Sequence, residues 1–409
     1  MVAYSSRAKR LVFVFLTVLL VSVGFYALFG KPDLAARAAV VSSSATGPDV
    51  SASAASEMDY SVYLPIVYNP YGPRSSRMGF CVAGGSIDRY SDIRKLAAGW
   101  YLRFGTQIDP PRPLGMEYVQ VVRIHQLTTC WPTRKRDRTS YPYVVPYDYV
   151  VYSSGGVDGM LAAAQANPGA LWLIGNEMDR RDWNGGGQDE MLPELYATAY
   201  HELRNAILAV DPTARFSIGG VIQATPARLD YLTKMWNSYR AQYGSDMPVD
   251  VWNVHNFIFQ EVCDGHGADV PPGHGCYGTI YSDSDHNNMR IFAQQIRAMR
   301  QWMKDRGQQQ KPLIVSEYGI VYRHEGMDNF DLVRRFMLDT FDYFMNTKDC
   351  SLGLSSDDCR LVQRWAWYSL DDDDPYKNTY AHFIDPDTGL LTPLGQAFAE
   401  YANQHLDTR

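Results

Sequence analysis

LWLIGNE (residues 171–177) and LIVSE (residues 313–317) are two short apolar runs that each end in a glutamate. Apolar runs of this length with β-branched members are typical of buried strands. A carboxylate is costly to bury without a partner, so a glutamate at the end of such a strand requires a reason. Two similar strands that end this way, far apart in the chain, predict one cleft that contains both Glu177 and Glu317.

Strand-like and helix-like segments alternate around these two runs. The other predicted strands are Gly79–Ala83, Trp100–Gly105, Tyr118–His125, Phe216–Gly219, Val249–Asn256 and Leu361–Leu370. The predicted helices are Asp88–Ala98, Val157–Ala166, Glu190–Val210, Pro226–Tyr243, Asn287–Arg306, Asn329–Asn346 and Pro393–His405. A long irregular loop is expected from Thr128 to Tyr152.

This alternation predicts an α/β fold in which helices cover a parallel sheet. About eight strands over roughly 330 residues lie within the range of a single (β/α)8 TIM barrel, which is the predicted fold. The alternative is a doubly wound open sheet, which usually carries a G-x-G-x-x-G loop after its first strand. The sequence contains no such motif, so the barrel is favoured.

In a barrel of this type the catalytic groups lie at the C-terminal ends of the strands. Glu177 would end the fourth strand and Glu317 the seventh. The period of two in a strand places Gly175 with Glu177, and Val315 with Glu317, on faces that lead to the barrel mouth. A pair of carboxyl groups, one protonated and one ionised, is the equipment that cleavage of a glycosidic bond requires.

Other residues near the strand ends are candidates for substrate binding. Asn176 could bond a sugar hydroxyl, and His255, at the end of the sixth strand, could bond a sugar or Glu317. Trp367 on the eighth strand offers a flat apolar wall for a pyranose ring. The remaining candidates end strands two and three or follow Glu177 in its loop: Arg103, His125 and Trp183. Carboxylates supply both proton transfer and nucleophilic attack, so neither a metal nor an organic cofactor is expected.

Several of these segments resemble the signatures of a known group. GNEMD (175–179), SEYG (316–319) and AWY (366–368) resemble the Asn-Glu-Pro-Asp, Thr-Glu-Phe-Gly and Ala-Trp-Phe motifs of clan A glycoside hydrolases. Within that clan the chain is most similar to the "glycosyl hydrolase catalytic core" family, which is related to β-1,3-glucanases. WYLRFG (100–105) is similar to the second-strand motif of that family, and DPDTGLLTPLG (385–395) to the end of many clan A barrels.

The resemblance implies a retaining glycoside hydrolase that cleaves a β-linked polysaccharide by double displacement. It assigns Glu177 as the general acid/base and Glu317 as the nucleophile, with Tyr318 among the residues that contact the substrate. The chain departs from the family pattern at three places: Met178 replaces Pro, Arg103-Phe104 replaces Asn-Trp, and Phe257 stands where Tyr often follows the strand-six histidine. These departures concern substrate contacts more than the acid pair, so the identity of the substrate sugar stays open.

The N-terminus indicates export. Arg7, Lys9 and Arg10 precede an uncharged stretch from Leu11 to Phe29, which is a pattern that sends the rest of the chain across a membrane. We expect a signal peptide or membrane anchor over residues 1–30, and residues 11–29 could attach the protein to the outer face of the membrane. An Ala/Ser-rich linker with a short apolar extension would cover residues 31–77, and the catalytic domain residues 78–409.

Six cysteines fit an extracytoplasmic location. Cys263 and Cys276 bracket one loop and Cys350 and Cys359 another, while Cys81 and Cys130 remain. Close pairs of this kind predict disulfides, although the sequence leaves their connectivity open. An alternative for the first loop is a zinc site that also uses two histidines within it, His266 and His274.

Composition and charge narrow the class of partner. Of 409 residues, 46% are apolar and 20% are charged, which is ordinary for a globular protein. The net charge is −7 without a basic stripe, so nucleic acid is not an expected partner. We expect a monomer that acts on a polysaccharide or oligosaccharide. The alternatives are a non-catalytic carbohydrate-binding protein on the same scaffold, because fold does not guarantee activity, and a transglycosylase.

Overall fold

Eight parallel strands form the centre of the structure, a computed structural model that describes residues 74–127, 148–181, 187–263, 267–276 and 278–407. The strands are β1 (Ser75–Val82), β2 (Ala98–Arg103), β3 (Glu117–Val122), β6 (Leu171–Ile174), β7 (Arg215–Ile218), β8 (Trp252–His255), β9 (Leu313–Tyr318) and β10 (Arg364–Trp367). Two further strands, β4 (Ile124–Gln126) and β5 (Tyr149–Val151), pair with each other in antiparallel fashion. The predicted N-terminal segments over residues 1–73, Cys130 and Trp183 lie outside the described residues.

The eight strands hydrogen-bond in the order β7-β6-β3-β2-β1-β10-β9-β8. The two ends of this order meet through a parallel bridge between Val221 and Val254 and a 2.8 Å hydrogen bond from the His255 N–H to the Val221 carbonyl. The sheet is therefore a nearly closed barrel, and the predicted (β/α)8 TIM-barrel class is confirmed.

Six α-helices lie in the described residues: α1 (Gly156–Ala166), α2 (Pro193–Val210), α3 (Pro226–Tyr243), α4 (Met289–Lys304), α5 (Phe330–Asn346) and α6 (Pro393–Gln404). Three of them begin with proline, whose fixed φ suits a first helical turn and whose missing N–H costs nothing there. Among these helices none combines the length and the apolar character that crossing a membrane requires.

The helix predicted over Asp88–Ala98 is wrong. Two short 3-10 helices, Ile87–Arg89 and Ile93–Leu96, occupy this segment, and β2 begins directly after the second. The reason is tertiary contact. The Tyr90 hydroxyl donates to Asp371 at 2.6 Å, and the Asp92 N–H donates to the Gly389 carbonyl at 3.3 Å. These bonds hold the middle of the segment in a conformation that a continuous helix cannot adopt.

The strand predicted over Tyr118–His125 is divided at Arg123. The Arg123 N–H donates to the Ser153 hydroxyl at 2.6 Å and not to a neighbouring strand. Beyond Arg123 the chain leaves the barrel sheet and forms β4. This strand pairs with β5, which lies inside the loop that was predicted to be irregular. Residues 128–147 of that loop lie outside the described residues.

Alternate residues of six strands fill the barrel interior. This cluster includes Cys81, Trp100, Leu102, Val119, Val121, Leu171, Leu173, Ile314 and Ala366. The intervening residues face the helices; Trp252, for example, packs against Trp236 of α3 and Trp302 of α4. The interior is thus a packed core below the mouth, which leaves the C-terminal strand ends to build a site.

Two predicted cysteine pairs are disulfides. Cys263 bonds to Cys276 and Cys350 bonds to Cys359. The alternative zinc site in the first loop is therefore wrong, because both of its sulfur ligands are used. Cys81 is a free thiol buried in the barrel interior, with its Sγ 3.1 Å from the Ser316 carbonyl oxygen.

Candidate active site

Glu177 and Glu317 meet at the mouth of the barrel. One carboxyl oxygen of each and one ring nitrogen of His255 all lie within 4.8 Å of one another. The two glutamates are only 2% and 8% exposed, although they come from strands on opposite halves of the sequence. Retaining glycosidases hold their two carboxyl groups about 5 to 5.5 Å apart, and the approach of the two carboxylate oxygens is compatible with that spacing.

The backbone around Glu177 is unusual. Glu177 has a φ of +50°, a conformation that non-glycine residues rarely adopt, and its N–H donates to the Gly220 carbonyl at 3.0 Å. A side chain on Gly220 would place its Cβ 2.2 Å from the His255 ring, and one on Gly219 would lie 2.5 Å from the Gly175 backbone. The Gly-Gly pair that follows β7 therefore makes room for both the His255 ring and the turn that carries Glu177.

A β-bulge turns Glu317 into the barrel. Between Val315 and the strand end, β9 contains one residue more than each of its neighbours, β8 and β10. Ile314 faces the interior, so simple alternation from Ile314 would direct Glu317 toward the helices. The extra residue reverses that alternation. The prediction that Val315 and Glu317 share one face by period-two alternation is therefore wrong, although Glu317 does reach the mouth.

Arg180 and His255 hold Glu177 in its ionised form. Arg180 donates from its Nη1 to Oε2 at 3.0 Å, and His255 Nδ1 lies 3.1 Å from Oε1. Burial raises the pKa of Glu177, but the charge of Arg180 and the hydrogen bond from His255 outweigh burial and hold it at about 2. Burial lowers the pKa of His255, but Glu317 and Glu177 outweigh burial and leave it raised.

Glu317 has the opposite environment. Its Oε2 is buried without a hydrogen-bond partner among the described residues, 3.9 Å from His255 Nδ1. Burial, together with the negative charge of Glu177, raises the pKa of Glu317 to about 7 against the opposing effects of His255, Lys377 and Arg180. At mildly acidic pH, therefore, Glu317 carries the proton of the pair and Glu177 is ionised.

Sequence reasoning did not find Arg180. Besides Glu177, its guanidinium donates to the Gly267 carbonyl at 3.1 Å and contacts the Tyr322 hydroxyl at 3.5 Å. Arg180 lowers the pKa of Tyr322, with Lys377 4.8 Å from the centre of the tyrosine ring adding to the effect. The signal in the sequence is a basic residue three positions after a strand-end glutamate, which is recognisable only once the turn is known.

A second group of buried charges supports the Glu177 turn. Arg228, in the first turn of α3, pairs with Asp179 at 3.3 Å and with Glu261 at 3.1 Å, and all three side chains are buried. The same guanidinium donates to the carbonyls of Ala268 and Asp269. Arg228 therefore ties the turn after β6 to the loop after β8, which is closed by the Cys263–Cys276 disulfide.

Asp189 fixes the backbone of Asn176. Its Oδ2 accepts from the Asn176 N–H at 2.8 Å, and its own N–H donates to the Asn176 carbonyl at 2.9 Å. The Asp189 carboxylate also accepts from the side chain of Arg123, the residue at which the third strand breaks. The irregular end of β3 thus contributes the cation that holds the residue before Glu177.

The structure brings only some of the predicted binding residues to the acid pair. Asn176 and His255 lie there. Arg103 donates to the Gly84 carbonyl at 2.8 Å, at the end of β1, and His125 lies on β4, outside the barrel sheet. These last two have no contact with the acid pair among the hydrogen bonds and ion pairs of the described residues.

Trp367 and Tyr318, two of the predicted substrate contacts, do not lie beside the acid pair in the structure. Trp367 is fully buried, donates to the Ala381 carbonyl at 2.8 Å and packs against Phe336 of α5. Tyr318 packs against Phe292 of α4 and contacts Thr340 of α5 at 3.2 Å. Both side chains face the helices, because their strand neighbours Ala366 and Glu317 face the barrel.

Different aromatic residues take the interior positions near the mouth. Tyr368 and Phe104 pack against the interior cluster, with ring centroids 6.3 Å apart, and both are only partly buried. The Tyr368 hydroxyl donates to Asp372 at 2.6 Å. The alternation that removes Trp367 from the cleft brings in Tyr368, the next residue of the same AWY motif.

The acid pair and His255 also form a set of three possible metal ligands. One of the two carboxylates already has the Arg180 guanidinium as its counter-charge. The arrangement is thus a buried acid pair with a cationic partner, which can transfer protons without a further cation.

Neither family models nor curated protein sequences match this chain. Among solved structures it is similar to a GH128 (subgroup II) endo-β-1,3-glucanase from Pseudomonas viridiflava, with 14% identity over 80% of this chain and 98% of that chain and a TM-score of 0.49. A GH5_18 protein from Streptomyces cattleya in complex with GlcNAc has 14% identity over 82% and 81% and a TM-score of 0.46. CJP38, a β-1,3-glucanase and pollen allergen of Cryptomeria japonica, has 11% identity over 78% and 97% and a TM-score of 0.43.

These similarities are too distant to assign an activity to this chain. Each identity is 14% or less and each TM-score is below 0.5.

Arg228→Ala is expected to destabilise the fold by about 3–5 kcal/mol, because it leaves Asp179 and Glu261 buried without their counter-charge. Urea unfolding followed by circular dichroism measures the change. Arg240→Ala is the matched control: Arg240 pairs with Asp246 at 3.3 Å on the surface, and its removal should cost no more than about 1 kcal/mol. Equal losses in the two variants would contradict the role given to Arg228.

Glu317→Gln is expected to raise the melting temperature relative to wild type, and more so at pH 8 than at pH 4.5. Folding raises the pKa of Glu317 from its ordinary value of 4.5 to about 7, so the free energy of unfolding of the wild type falls as the pH rises through this range. Gln at this position carries no charge and avoids that loss. Each kcal/mol relieved should add roughly 2–4 °C. Glu194→Gln, at an exposed helical position, should show no such pH dependence.

Proposed function

We propose that this protein is a retaining glycoside hydrolase that cleaves a β-linked polysaccharide, with Glu177 and Glu317 as its catalytic pair. The observation that carries the proposal is the approach of two buried carboxylates at the C-terminal ends of barrel strands, with one oxygen of each within 4.8 Å of the other. This approach is compatible with the spacing of about 5 to 5.5 Å at which two acids act on opposite sides of one anomeric carbon with no water between them. This favours a covalent intermediate over direct hydrolysis.

In the proposed reaction Glu317 attacks the anomeric carbon while Glu177 donates a proton to the departing glycosidic oxygen. The glycosyl–Glu317 ester then reacts with water, which gives a proton to Glu177 and frees the nucleophile. The pair must hold one proton when the substrate binds. At mildly acidic pH that proton belongs to Glu317, so the substrate must draw the Glu317 carboxylate toward the anomeric carbon and move the proton to Glu177.

A reversed assignment, with Glu317 as the acid and Glu177 as the nucleophile, is the second candidate. The Arg180 ion pair favours it, because a carboxylate beside a guanidinium is ionised at the pH at which Glu317 is protonated. The order of the strand-end motifs, in which the acid/base precedes the nucleophile, favours the first assignment. Both assignments give retention of configuration.

The substrate would lie against apolar surface at the mouth. Tyr368 and Tyr322 pack beside a cluster of buried residues formed by Ile222, Phe257, Phe259, Ala268 and Val321. Such surfaces suit the apolar faces of sugar rings. A β-glucan is the proposed substrate class, in line with the family resemblance at the strand-end motifs.

The two disulfides support an oxidising, extracytoplasmic location, which we propose for the protein together with the N-terminal export segment. A carbohydrate-binding protein without activity and a transglycosylase are the alternatives. The first would bind glycans and release no reducing ends from any of them. The second would produce longer oligosaccharides in place of free sugar.

Incubation with a panel of β-linked polysaccharides, read by proton NMR, is expected to show a product that first appears with the anomeric configuration of the substrate. Glu177→Gln should lower kcat by about 10²–10⁴-fold, and Glu317→Gln at least as much, while Glu194→Gln should leave it unchanged. An inverted product would overturn the double-displacement mechanism.

A 2-deoxy-2-fluoro glycoside with a good leaving group should trap the covalent intermediate. Mass spectrometry of proteolytic peptides is expected to find the label on Glu317. A label on Glu177 would establish the reversed assignment.

The pH profile of kcat/KM should be flat at mildly acidic pH and fall as the pH rises through about 7, because the pair then loses its single proton. The acidic limb should lie near pH 2, where Glu177 gains a second proton for the pair. Arg180→Gln should move that acidic limb to higher pH, since Glu177 loses its guanidinium partner. A wild-type kcat/KM that stays constant through pH 9 would contradict the protonation states assigned to the acid pair.

A further inference from the structure

A second cluster of potential metal ligands lies apart from the acid pair. Asp283 and His286 belong to the loop between β8 and α4, and His324 to the loop between β9 and α5. One ligand atom from each of the three side chains lies within 4.8 Å of the other two, and Nδ1 of His324 is 3.2 Å from Oδ2 of Asp283. The tertiary fold brings these residues together from two separate loops.

His286 is the member that a simple surface ion pair does not explain. His286 is only 7% exposed, and its Nδ1 is buried without a hydrogen-bond partner in the described part of the chain. A buried polar atom without a partner is uncommon and calls for an explanation, such as an ion that occupies the site. The His286 ring lies edge-on to the ring of His324, with 4.9 Å between centroids.

We propose that Asp283, His286 and His324 bind a first-row divalent transition-metal ion, with Zn²⁺ as the probe of choice. Two imidazoles and one carboxylate form a donor set that suits Zn²⁺ and its neighbours, whereas Mg²⁺ and Ca²⁺ prefer oxygen ligands alone. Three protein ligands leave the fourth tetrahedral position to a water molecule.

The ion would join two loops at the barrel mouth. Phe259 packs edge-on against His286 with ring centroids 5.2 Å apart, and Tyr322 lies 6.2 Å from the His324 ring. Phe259 and Tyr322 are themselves 5.4 Å apart, and both contact Arg180, the partner of Glu177. A bound ion therefore holds in place the two loops that carry Phe259 and Tyr322 beside Arg180. It takes no part in the proposed bond cleavage.

Isothermal titration calorimetry of the full-length protein with ZnCl₂ tests the site. We expect saturable binding of one ion, at least about tenfold weaker in His286→Ala and in His324→Ala, because even the loss of an outer-shell partner costs that much. His274→Ala, in the neighbouring disulfide loop, controls for non-specific histidine binding. Glu317→Gln controls for binding at the acid pair. Neither control should change the affinity, and Mg²⁺ and Ca²⁺ should not compete.

Thermal unfolding gives an independent readout. At one Zn²⁺ concentration, the ion should raise the melting temperature of the wild type and of His274→Ala, and raise that of His324→Ala by less. His324 is only half-buried, so its replacement leaves a folded protein in which the test can be made. Absence of saturable binding in the wild type, or loss of binding in Glu317→Gln with retention in both cluster variants, would overturn the proposal.

Discussion

The burial of two acidic groups side by side is the constraint on which the rest of the barrel mouth depends. Glu177 and Glu317 lose hydration and repel each other, and neither penalty is relieved by solvent. The two carboxylates have different polar contacts: Arg180 and His255 contact Glu177, while Oε2 of Glu317 has no hydrogen bond in the described residues. This inequality separates the two pKa values, and two carboxyl groups can take different roles, one protonated and one ionised, only if their environments differ in this way.

The neighbouring charges form a second layer around the first. Arg228 lies between Asp179 and Glu261, and the Asp189 carboxylate lies between Arg123 and the backbone of Asn176. In each case a buried ion is compensated by an opposite charge or by backbone donors, as the low polarity of the interior requires. Buried pairs of this kind are weak evidence for stability, but they hold the turn after β6 in one geometry.

Both catalytic candidates also depend on departures from regular backbone. Glu177 has a positive φ, which costs about 1–3 kcal/mol for a residue with a side chain, and Glu317 follows a bulge in β9. Regular alternation would have sent Glu317 toward the helices. The glycines after β7 belong to the same arrangement, because any side chain on Gly220 would meet the ring of His255. The cost of these irregularities is borne by the surrounding barrel.

Local patterns in the sequence predict the order of strands and helices, the barrel class, the two loop disulfides as close pairs, and the location of both glutamates at the ends of the fourth and seventh barrel strands. These features follow from apolar residues and turn residues that lie within a single segment. Tertiary contacts are needed to establish that Tyr368 and not Trp367 faces the barrel, and that Arg180 pairs with Glu177. They are also needed to establish that Tyr90 and Asp92 interrupt a helix. Each of these depends on a one-residue shift or on contacts between distant segments, and no local pattern records them.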